Sequence, residues 1–383
     1  MTDPALIAPV AAPELHVATV NIRRRMGMRP RSADRWSVRA PALSALLATE
    51  HPHLIGTQEV LPDQARVLKT ALGEHYRRIG HGRNADGQGE GCPIYYDGSR
   101  LELLSWSQQA LSDTPDEPGS TGWGNRTPRM MVAAEFRDRA TRIRFLAVNT
   151  HFDNESRRSR VRAAEAVRAL VAGQTLPAVM TGDLNSGAGT TTLQALLAPG
   201  GLQDAWVTAR TRLTPEWGTF PNYRRPRLGR KRIDWIAVTP DVAVERIGIN
   251  TRRPGGIWPS DHLPVQAVLR HDPAGFAARE LAERESLHLP PAWRLAELTG
   301  QPSDVADLLD RAVLPAGATV LGPVPVPNPR RSAAPDSRMR ALVVVDRASG
   351  AALAAAMHAA SAVRSARKDG AAVTVRIDPV VLG

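Results

Sequence analysis

The chain has 383 residues and 43% apolar content, enough to bury the cores of two ordinary domains or of one large and one small domain. Its single cysteine excludes an internal disulfide and fits a reducing compartment, so the cytoplasm is the expected location. No segment is long and apolar enough for a transmembrane helix, and no membrane partner is expected. Residues 1–14 combine prolines and acidic side chains without a basic segment, which is unlike a signal peptide and indicates a disordered leader.

The net charge of +11 is concentrated in the first part of the chain. Residues 271–383 hold 13 of the 49 Lys and Arg and 12 of the 38 Asp and Glu, so residues 1–270 carry 36 basic and 26 acidic side chains, a net +10. This excess favours a polyanionic partner such as nucleic acid. Because nearly all the basic residues are arginines, a GC-rich coding bias is the alternative explanation.

From residue 15 onward, apolar strand-like runs alternate with amphipathic helical stretches. Ten strands are predicted, at 16–22, 54–58, 93–96, 101–106, 130–136, 143–149, 178–183, 233–238, 244–249 and 265–269. One helix places Trp36, Leu43 and Leu47 on a single face, and another begins at Ser159 and ends at Gly173. Consecutive strands between 93 and 149 indicate hairpins. The sequence therefore predicts an α/β protein in which two mixed β-sheets pack together with helices outside.

The composition changes after residue 270. A charged, helix-like stretch comes first, followed by a proline-rich loop at 323–335, a strand at 339–345, an alanine-rich helix at 350–366 and a strand at 373–377. These elements predict a separate small α+β domain over residues 271–383, next to a larger domain over residues 15–270.

Polar side chains lie at the ends of several predicted strands. The segments are TVNIR with Asn21, LIGTQEV with Glu59, LAVNTHF with His151, VMTGDLNS with Asp183 and Asn185, RIDWIAV with Asp234, and WPSDHLPV with Asp261 and His262. Taken singly, an Asp or Asn after a strand usually caps a turn. The ordered set predicts a site where strand ends converge, and an acid beside a histidine indicates hydrolytic chemistry.

The strings QE, NTH, GDLN, RIDWI and SDH, in this order, resemble the endonuclease/exonuclease/phosphatase superfamily, which includes deoxyribonuclease I. The resemblance covers residues 15–270 and implies a four-layer α/β sandwich that hydrolyses phosphate esters with a divalent metal. Oxygen ligands suit Mg²⁺ or Mn²⁺. By this resemblance Glu59 is the main metal ligand, and Asn21 and Asp261 lie nearby and hold metal or phosphate.

The same resemblance assigns roles to the remaining residues of the set. Asp183 would orient or deprotonate the attacking water, and Asn185 would help to hold that water or the phosphate. Asp234 would bond His262, fixing its tautomer and raising its basicity. His151 would donate to a phosphate oxygen on which charge grows in the transition state.

Two further segments are candidates for substrate contact. In WGNRTPRMMVAAEF, the side chains of Asn125, Arg126 and Arg129 would contact substrate by resemblance to bacterial members, and a loop packed by Trp123 is the alternative. The basic run at 222–232, NYRRPRLGRKR, predicts either contact with a phosphate backbone or a solvated loop.

The strings DPAGFAARELAERESLHLPPAW, LGPVPVP and AAMHAASAVRSARKDGAAVTVRIDPVVLG resemble the C-terminal domain of the primosomal helicase PriA. The matching region contains no ATPase motif, so no helicase activity follows. The resemblance implies contact with DNA or single-strand-binding protein. A tethered interaction domain and a fusion remnant without function both remain open.

These observations favour a metal-dependent phosphoesterase, most of all a nuclease acting on DNA or RNA. The enzyme alternative is a phosphodiesterase or phosphatase that acts on small molecules, inositol phosphates or lipids. A noncatalytic nucleic-acid-binding or scaffold protein is the alternative of another class. The sequence does not indicate an oligomeric state.

Overall fold

The computed structural model describes residues 4–27, 32–326 and 338–379. The chain forms two compact units, Met1–Pro273 and Ala274–Gly383. Within the described ranges, no helix combines the length and the hydropathy needed to cross a membrane. That residues 15–270 and 271–383 fold as independent domains remains a prediction.

The secondary structure of the first unit alternates strands and helices. Its strands are β1 (Leu15–Asn21), β2 (Leu54–Gln58), β3 (Tyr76–Ile79), β4 (Ile94–Asp97), β5 (Leu101–Ala110), β6 (Met130–Asp138), β7 (Arg144–His151), β8 (Ala178–Asp183), β9 (Gln203–Asp204), β10 (Thr211–Arg212), β11 (Asp234–Val238), β12 (Val242–Ile249) and β13 (Val265–His271). Its helices are α1 (Trp36–Glu50), α2 (Pro62–Leu72), α3 (Arg157–Ala172), α4 (Thr191–Leu196) and α5 (Ala205–Thr208).

Two mixed sheets bring the ends of several strands to one edge. The first sheet has the order β10-β12-β13-β1-β2-β4-β3, and the second has the order β5-β6-β7-β8-β11-β9. β1 and β2 are parallel, with Asn21 opposite Gln58, and β7 and β8 are parallel, with His151 opposite Asp183. β11 is antiparallel to β8 and begins at Asp234, opposite Asp183. The register therefore gathers carboxylates, imidazoles and an amide at the same edge of the two sheets.

The apolar residues form three layers of core around these sheets. Residues such as Val17, Phe136 and Ile236 fill the space between the two sheets. Helices α1 and α2 pack on the outer face of the first sheet, where Leu43 is buried, and α3 and α4 cover the outer face of the second, where Val167 is buried. This arrangement confirms the predicted four-layer sandwich with helices outside.

The two sheets approach closely beside the polar edge. A Cβ atom on Gly56 would lie 2.0 Å from Oγ1 of Thr181 and 2.5 Å from Oδ1 of Asn149, so only glycine fits there. Oδ1 of Asn149 accepts a hydrogen bond from Nε2 of Gln58 at 2.8 Å, and its Nδ2 donates to the carbonyl of Thr57 at 2.8 Å. These buried amides join the two sheets and fix their relative register next to the site.

Residues 4–14, predicted as part of a disordered leader, belong to the first unit and contact its other residues. The backbone N–H groups of Leu6 and Ile7 donate to the carboxylate of Glu50 at 2.9 and 3.3 Å, and Ile7 is only 1% exposed. The amide of Asn250 donates to the same carboxylate at 2.9 Å. The buried acid thus holds the leader in place because it needs these donors.

The second unit is a small α+β structure, as predicted. Its elements are α6 (Pro273–Ser286), β14 (Trp293–Gly300), α7 (Pro302–Arg311), β15 (Thr319–Pro325), β16 (Met339–Asp346), α8 (Gly350–Arg367) and β17 (Thr374–Ile377). The antiparallel sheet has the order β15-β16-β14-β17, and one face packs on α7 and α8 through Leu298, Val343 and Leu353. Residues 323–325 of the predicted proline-rich loop belong to β15 instead, and residues 327–335 lie outside the described residues.

Candidate active site

A cavity of about 450 Å³ opens at the edge where the strand ends meet. Its wall includes most of the side chains that the sequence predicts to be functional: Glu59, Arg129, His151, Asp183, Asn185, Asp261 and His262. Asn21 and Asp234 lie behind this wall, where Asn21 bonds to Asp183 and Asp234 bonds to His262. The structure therefore brings together residues that are up to 241 positions apart, from Asn21 to His262.

Asp234 and His262 form the hydrogen-bonded pair that the sequence predicts. Oδ2 of Asp234 lies 2.9 Å from Nδ1 of His262, and Nε2 of the imidazole lies 3.7 Å from Oδ2 of Asp183. Burial opposes a charged imidazole, but the carboxylates of Asp234 and Asp183 outweigh it and raise the pKa of His262 to about 10. His262 is therefore an imidazolium near neutral pH.

The surroundings of Asp183 raise the pKa of its carboxyl group so that it can exchange a proton near neutral pH. Its burial and the nearby charge of Asp234 raise the pKa of Asp183 to about 7. The backbone N–H of Asn185 donates to Oδ1 at 2.9 Å, and the amide of Asn21 donates to Oδ2 at 3.0 Å, which fixes the carboxylate in place. A general base works best when its pKa lies near the operating pH, so this geometry and titration suit Asp183 to that task.

Glu59 follows β2 and stays ionised. Burial acts to raise the pKa of Glu59, but the facing imidazoles and two hydrogen bonds lower it to about 2. These bonds come from the amide of Asn21 at 3.1 Å and the backbone N–H of Arg24 at 3.1 Å. The amide of Asn21 thus links the Glu59 and Asp183 carboxylates across the two sheets.

Arg23 lies between two of the predicted metal-side carboxylates, and the sequence reasoning did not identify it. Its Nε is 3.4 Å from Oδ2 of Asp261, and its Nη1 is 3.9 Å from Oε2 of Glu59. Nε also donates to Oδ1 of Asp34 at 3.3 Å. The guanidinium compensates the negative charge that Glu59 and Asp261 concentrate at the cavity. Its position two residues after Asn21 is the signal that could have revealed it.

His151 and Asn185 form a second polar contact in the wall. Nδ2 of Asn185 donates to the carbonyl of Phe152 at 3.0 Å and lies 3.2 Å from Nε2 of His151. Because the bond to the carbonyl orients the amide, Nε2 of His151 accepts in this arrangement. Burial and the charge of Arg129 lower the pKa of His151 well below its usual value. His151 is therefore neutral, unlike His262.

The backbone is strained at three residues that follow strands at this edge. Arg23, Glu59 and Asn185 have φ values of 55°, 61° and 48°, in the left-handed region. Asparagine tolerates this region, whereas a longer L-residue pays about 1–2 kcal/mol for it. Non-glycine residues with such strain cluster at functional sites, where the surrounding structure compensates the cost.

Of the three residues predicted to contact substrate from 123–136, one lines the cavity. Arg129 is 5% exposed, and its guanidinium donates to Asp153 at 3.2 Å and to Oδ1 of Asn154 at 2.8 Å. Asn125 instead accepts from the backbone of residue 123 and donates to that of residue 127, so it braces its own loop. Arg126 is exposed and does not line the cavity. Direct contact of Asn125 and Arg126 with substrate stays a prediction.

A buried arginine joins two of the loops that carry site residues, and no sequence motif indicates it. Arg39 is fully buried in α1, and Nη1 donates to the carbonyl of Ile22 at 2.8 Å and to that of Pro259 at 3.2 Å. Its Nη2 donates to the carbonyl of Arg23 at 3.0 Å. Arg39 thus fixes the segment after Asn21 against the loop that carries the Ser-Asp-His segment.

One group of three side chains is close enough to bind a metal. Ligand atoms of Asp183, Asp234 and His262 all lie within 4.8 Å of one another, and Oδ1 of Asp234 is buried without a hydrogen-bond partner among the described protein atoms. However, Nδ1 of His262 is already bonded to Asp234, and a protonated imidazole cannot coordinate a metal. This group is better suited to proton exchange than to metal binding.

The carboxylates of Glu59 and Asp261, with the amide oxygen of Asn21, form a second possible metal-binding group. Both carboxylates lie within 4 Å of Arg23, so they share one region of the cavity. Oδ1 of Asn21 accepts only from the backbone N–H of Arg23, at 3.0 Å, among the described residues. An all-oxygen set containing two carboxylates fits a hard divalent cation.

Two sequence-family models match different parts of the chain. The first describes the Endonuclease/Exonuclease/phosphatase family and matches residues 18–262. The second describes the Primosomal protein N C-terminal domain and matches residues 285–380. The two matches together span most of both compact units and overlap nowhere.

Solved structures of other proteins are similar to about two thirds of this chain. An endonuclease/exonuclease/phosphatase family protein from Bacteroides thetaiotaomicron is 31% identical, with a TM-score of 0.63, and the similarity covers 68% of this chain and 98% of that one. A mannosyl-6-phosphatase from the same organism is also 31% identical, with a TM-score of 0.61, covering 67% of this chain and 99% of that one.

A curated relative of the second unit is the probable replication restart protein PriA from Mycobacterium leprae. It is 42% identical over 125 residues, which is 31% of this chain and 19% of that protein. The chain therefore spans about a fifth of the length of the curated relatives it matches.

Proposed function

The chain belongs to the endonuclease/exonuclease/phosphatase family, and we propose that it hydrolyses phosphate esters by attack of an activated water in the cavity described above. The observation that carries the proposal is the buried arrangement of Asp183 between Asn21 and the Asp234–His262 pair. It combines a carboxyl whose pKa is about 7 with an imidazolium less than 4 Å away. A base and a fixed positive charge are what attack on an anionic phosphate requires.

In this mechanism the side chains of the cavity divide the chemistry among them. The carboxylate of Asp183 takes a proton from water while the water oxygen bonds to phosphorus, and the bond from phosphorus to the leaving oxygen breaks. The imidazolium of His262, held by Asp234, stabilises the negative charge that grows on the phosphate oxygens. Asn21 and Asn185 keep the base in position through their hydrogen bonds to Asp183.

His151 is neutral in the structure, which limits its role in this mechanism. Donation from its Nε2 to a phosphate oxygen, as the sequence predicts, requires the tautomer with a proton on Nε2 and a break of the contact with Asn185. Arg129 lines the cavity with a permanent positive charge and is a second candidate for contact with the phosphate.

A divalent cation, Mg²⁺ or Mn²⁺, belongs to the proposal. Glu59 and Asp261 would hold it, with the amide oxygen of Asn21. When bound, such an ion neutralises charge on the phosphate and polarises its oxygens. Arg23 faces both carboxylates and would lose part of its contact with them if they held a cation.

Nucleic acid is the leading substrate because residues 1–270 carry a net charge of +10. A phosphorylated sugar or another small phosphate ester is the second candidate, supported by the relative that is a mannosyl-6-phosphatase. A noncatalytic binding protein is the alternative without chemistry. The second unit is proposed to contact DNA or single-strand-binding protein, on the basis of its similarity to PriA.

A substrate panel tests the proposal. The full-length protein is offered single-stranded DNA, RNA, plasmid, abasic duplex, sugar phosphates, inositol phosphates and sphingomyelin, with Mg²⁺, with Mn²⁺ or with a chelator. Glu59→Ala and His262→Ala serve as controls. We expect hydrolysis that a chelator abolishes and that both substitutions reduce by about 100-fold or more. Hydrolysis of no substrate, or hydrolysis that neither substitution changes, would contradict the proposal.

A further inference from the structure

A groove of about 630 Å³ continues from the catalytic cavity, and the two share Phe220 and Ile233 in their walls. Five exposed cations line the groove: Arg224, Arg225, Arg227, Arg230 and Lys231. No carboxylate in the described part of the chain lies within 4.0 Å of any of the five. They form a region of uncompensated positive charge that leads directly to the reacting centre.

The segment that carries these cations is anchored at both ends. The backbone N–H of Asn222 donates to the carbonyl of Asp261 at 3.1 Å, and the hydroxyl of Tyr223 donates to Oδ1 of Asp34 at 2.8 Å. At the other end, Arg232 is 4% exposed and is paired with Asp204. The groove is therefore fixed before a ligand arrives, which lowers the entropy cost of binding.

Arg232, the last arginine of the same basic run, has a structural role. Its guanidinium contacts Asp204 at 2.6 Å and Glu216 at 3.1 Å, and it lies 3.7 Å from the centre of the Trp235 ring. The five cations that precede it in the same run have neither acidic partners nor burial. Their charge is available to a ligand.

An aromatic ring stands where the groove enters the cavity. Phe220 is 48% exposed, and its ring centre lies 4.8 Å from that of His262. A positively charged groove next to an exposed aromatic ring is the combination that binds single-stranded nucleic acid, because phosphates contact the cations and an unpaired base stacks on the ring. A single small phosphate ester would contact only part of a groove of this size.

We propose that the groove lined by residues 224–231 binds the phosphate backbone of single-stranded nucleic acid and that Phe220 stacks on a base next to the phosphate in the cavity. The inference rests on the proposed function for the direction in which the strand runs, toward Asp183. It names a polymer, rather than a small phosphate ester, as the substrate class. The groove is a binding surface and takes no part in proton transfer.

The test measures binding separately from hydrolysis. Full-length protein carrying Asp183→Asn is titrated into fluorescent single strands of DNA and of RNA and into a DNA duplex, each of about twelve nucleotides or base pairs, and the anisotropy is followed at several salt concentrations. The double variant Arg225→Ala/Arg227→Ala is compared with Arg66→Ala/Arg168→Ala, which removes the same charge from the outer helices α2 and α3. Arg225→Gln/Arg227→Gln provides a second groove variant, and thermal unfolding checks all of them.

We expect both groove variants to bind single strands about tenfold more weakly and to reduce the salt slope by about 1.4, because each lost phosphate contact removes about 0.7. The helix variant should bind like its parent. Equal loss in groove and helix variants, or a duplex bound as tightly as a single strand, would overturn the inference.

Hydrolysis distinguishes this inference from the proposed function. With Asp183 intact, the groove variants should hydrolyse bis(p-nitrophenyl) phosphate within about twofold of wild type and lose about tenfold in kcat/KM on the oligonucleotide. Groove-dependent binding without any hydrolysis would support the groove and contradict the proposed function. If the groove variants bind and hydrolyse oligonucleotides as wild type does, the result would support the proposed function and contradict the groove.

Discussion

The two units of this protein both bury charged side chains, but they arrange them differently. In the second unit, Arg364 donates to Asp304 at 2.8 Å and also bonds Asp307, so opposite charges meet directly. In the cavity of the first unit, Asp183 and Asp234 both lie beside the imidazole of His262, so two carboxylates share one positive partner. The first arrangement cancels charge, whereas the second leaves it partly uncompensated.

The two arrangements shift the pKa values of their carboxyl groups in opposite directions. Close contact with Arg311 and Arg364 lowers the pKa of Asp307, whose side chain is 33% exposed, whereas burial and Asp234 raise the pKa of the fully buried Asp183 to about 7. Buried charge is therefore evidence of chemistry only where the neighbours do not neutralise it. Four predictions test this comparison, from the largest expected effect to the smallest.

Asp234→Asn removes the carboxylate that holds the imidazolium of His262. We expect kcat to fall by about 100- to 10,000-fold, since the loss of a positioned acid–base group has effects of this size. Steady-state hydrolysis measures kcat, and Asp241→Asn, between β11 and β12, is the control. A variant with normal kcat would mean that the Asp234–His262 pair serves only the fold.

Arg39→Met leaves the carbonyls of Ile22, Arg23 and Pro259 buried without their donor. We expect a loss of about 3 kcal/mol in the free energy of unfolding, because several buried acceptors lose their partner at once. Urea unfolding measures the loss, and Arg35→Met, at an exposed position one turn earlier, should change it little. Equal stability of the two variants would show that the Arg39 bonds do not hold the loops together.

Arg364→Met breaks the compensated pair in the second unit. We expect about 1.5–3 kcal/mol of destabilisation, the range for hydrogen bonds to charged groups, with hydrolysis unchanged. Arg367→Met, exposed on the same helix, is the control. The comparison fails if hydrolysis falls in Arg364→Met as it does in Asp234→Asn, because a compensated pair would then be needed for chemistry.

His16 provides a titration outside the cavity. Its burial and the nearby His53 lower the pKa of His16 from 6.5 to about 3. Between these values the unfolded chain binds a proton that the folded chain does not, so stability falls as the pH drops from 6.5 toward 3, by up to about 1.4 kcal/mol per pH unit. The contribution of the neutral His16 to stability is fully present above pH 6.5.

Urea unfolding near pH 7 and near pH 5 measures this contribution. The loss of stability between the two pH values should be smaller by about 1–2 kcal/mol in His16→Gln than in wild type. The exposed His75→Gln should lose as much as wild type. The same loss in both variants would indicate that His16 is accessible to protons in the folded state.

Local patterns in the sequence were sufficient for ten of the thirteen strands described in the first unit and for the polar residues at their ends, but not for the short strands β3, β9 and β10. Hydrophobic runs such as 54–58 and 178–183 match β2 and β8 in full, and the polar residues that follow them lie together because parallel strands end at one edge. Strand β5 extends to Ala110, four residues beyond its prediction, because its polar second half pairs with β6 without being buried.

Contacts that depend on tertiary packing could not be predicted in this way. Arg39 acts on loops 16 and 220 residues away, and its helix carries no motif. Arg126 and Asn125 follow the family pattern, but the hydrogen bonds of their loop decide which side chain faces the cavity. Helix α2 was not predicted, although Pro62 stands at its first position, where proline is favoured.

The most direct test of the central claim compares wild-type protein with Asp183→Asn in hydrolysis of bis(p-nitrophenyl) phosphate, with Mg²⁺, with Mn²⁺ and with a chelator. The account predicts metal-dependent hydrolysis by wild type and a rate at least about 100-fold lower for the variant, with thermal unfolding unchanged within a few degrees. Equal rates for the two proteins, in a preparation where hydrolysis is present, would contradict the assignment of Asp183 as the base.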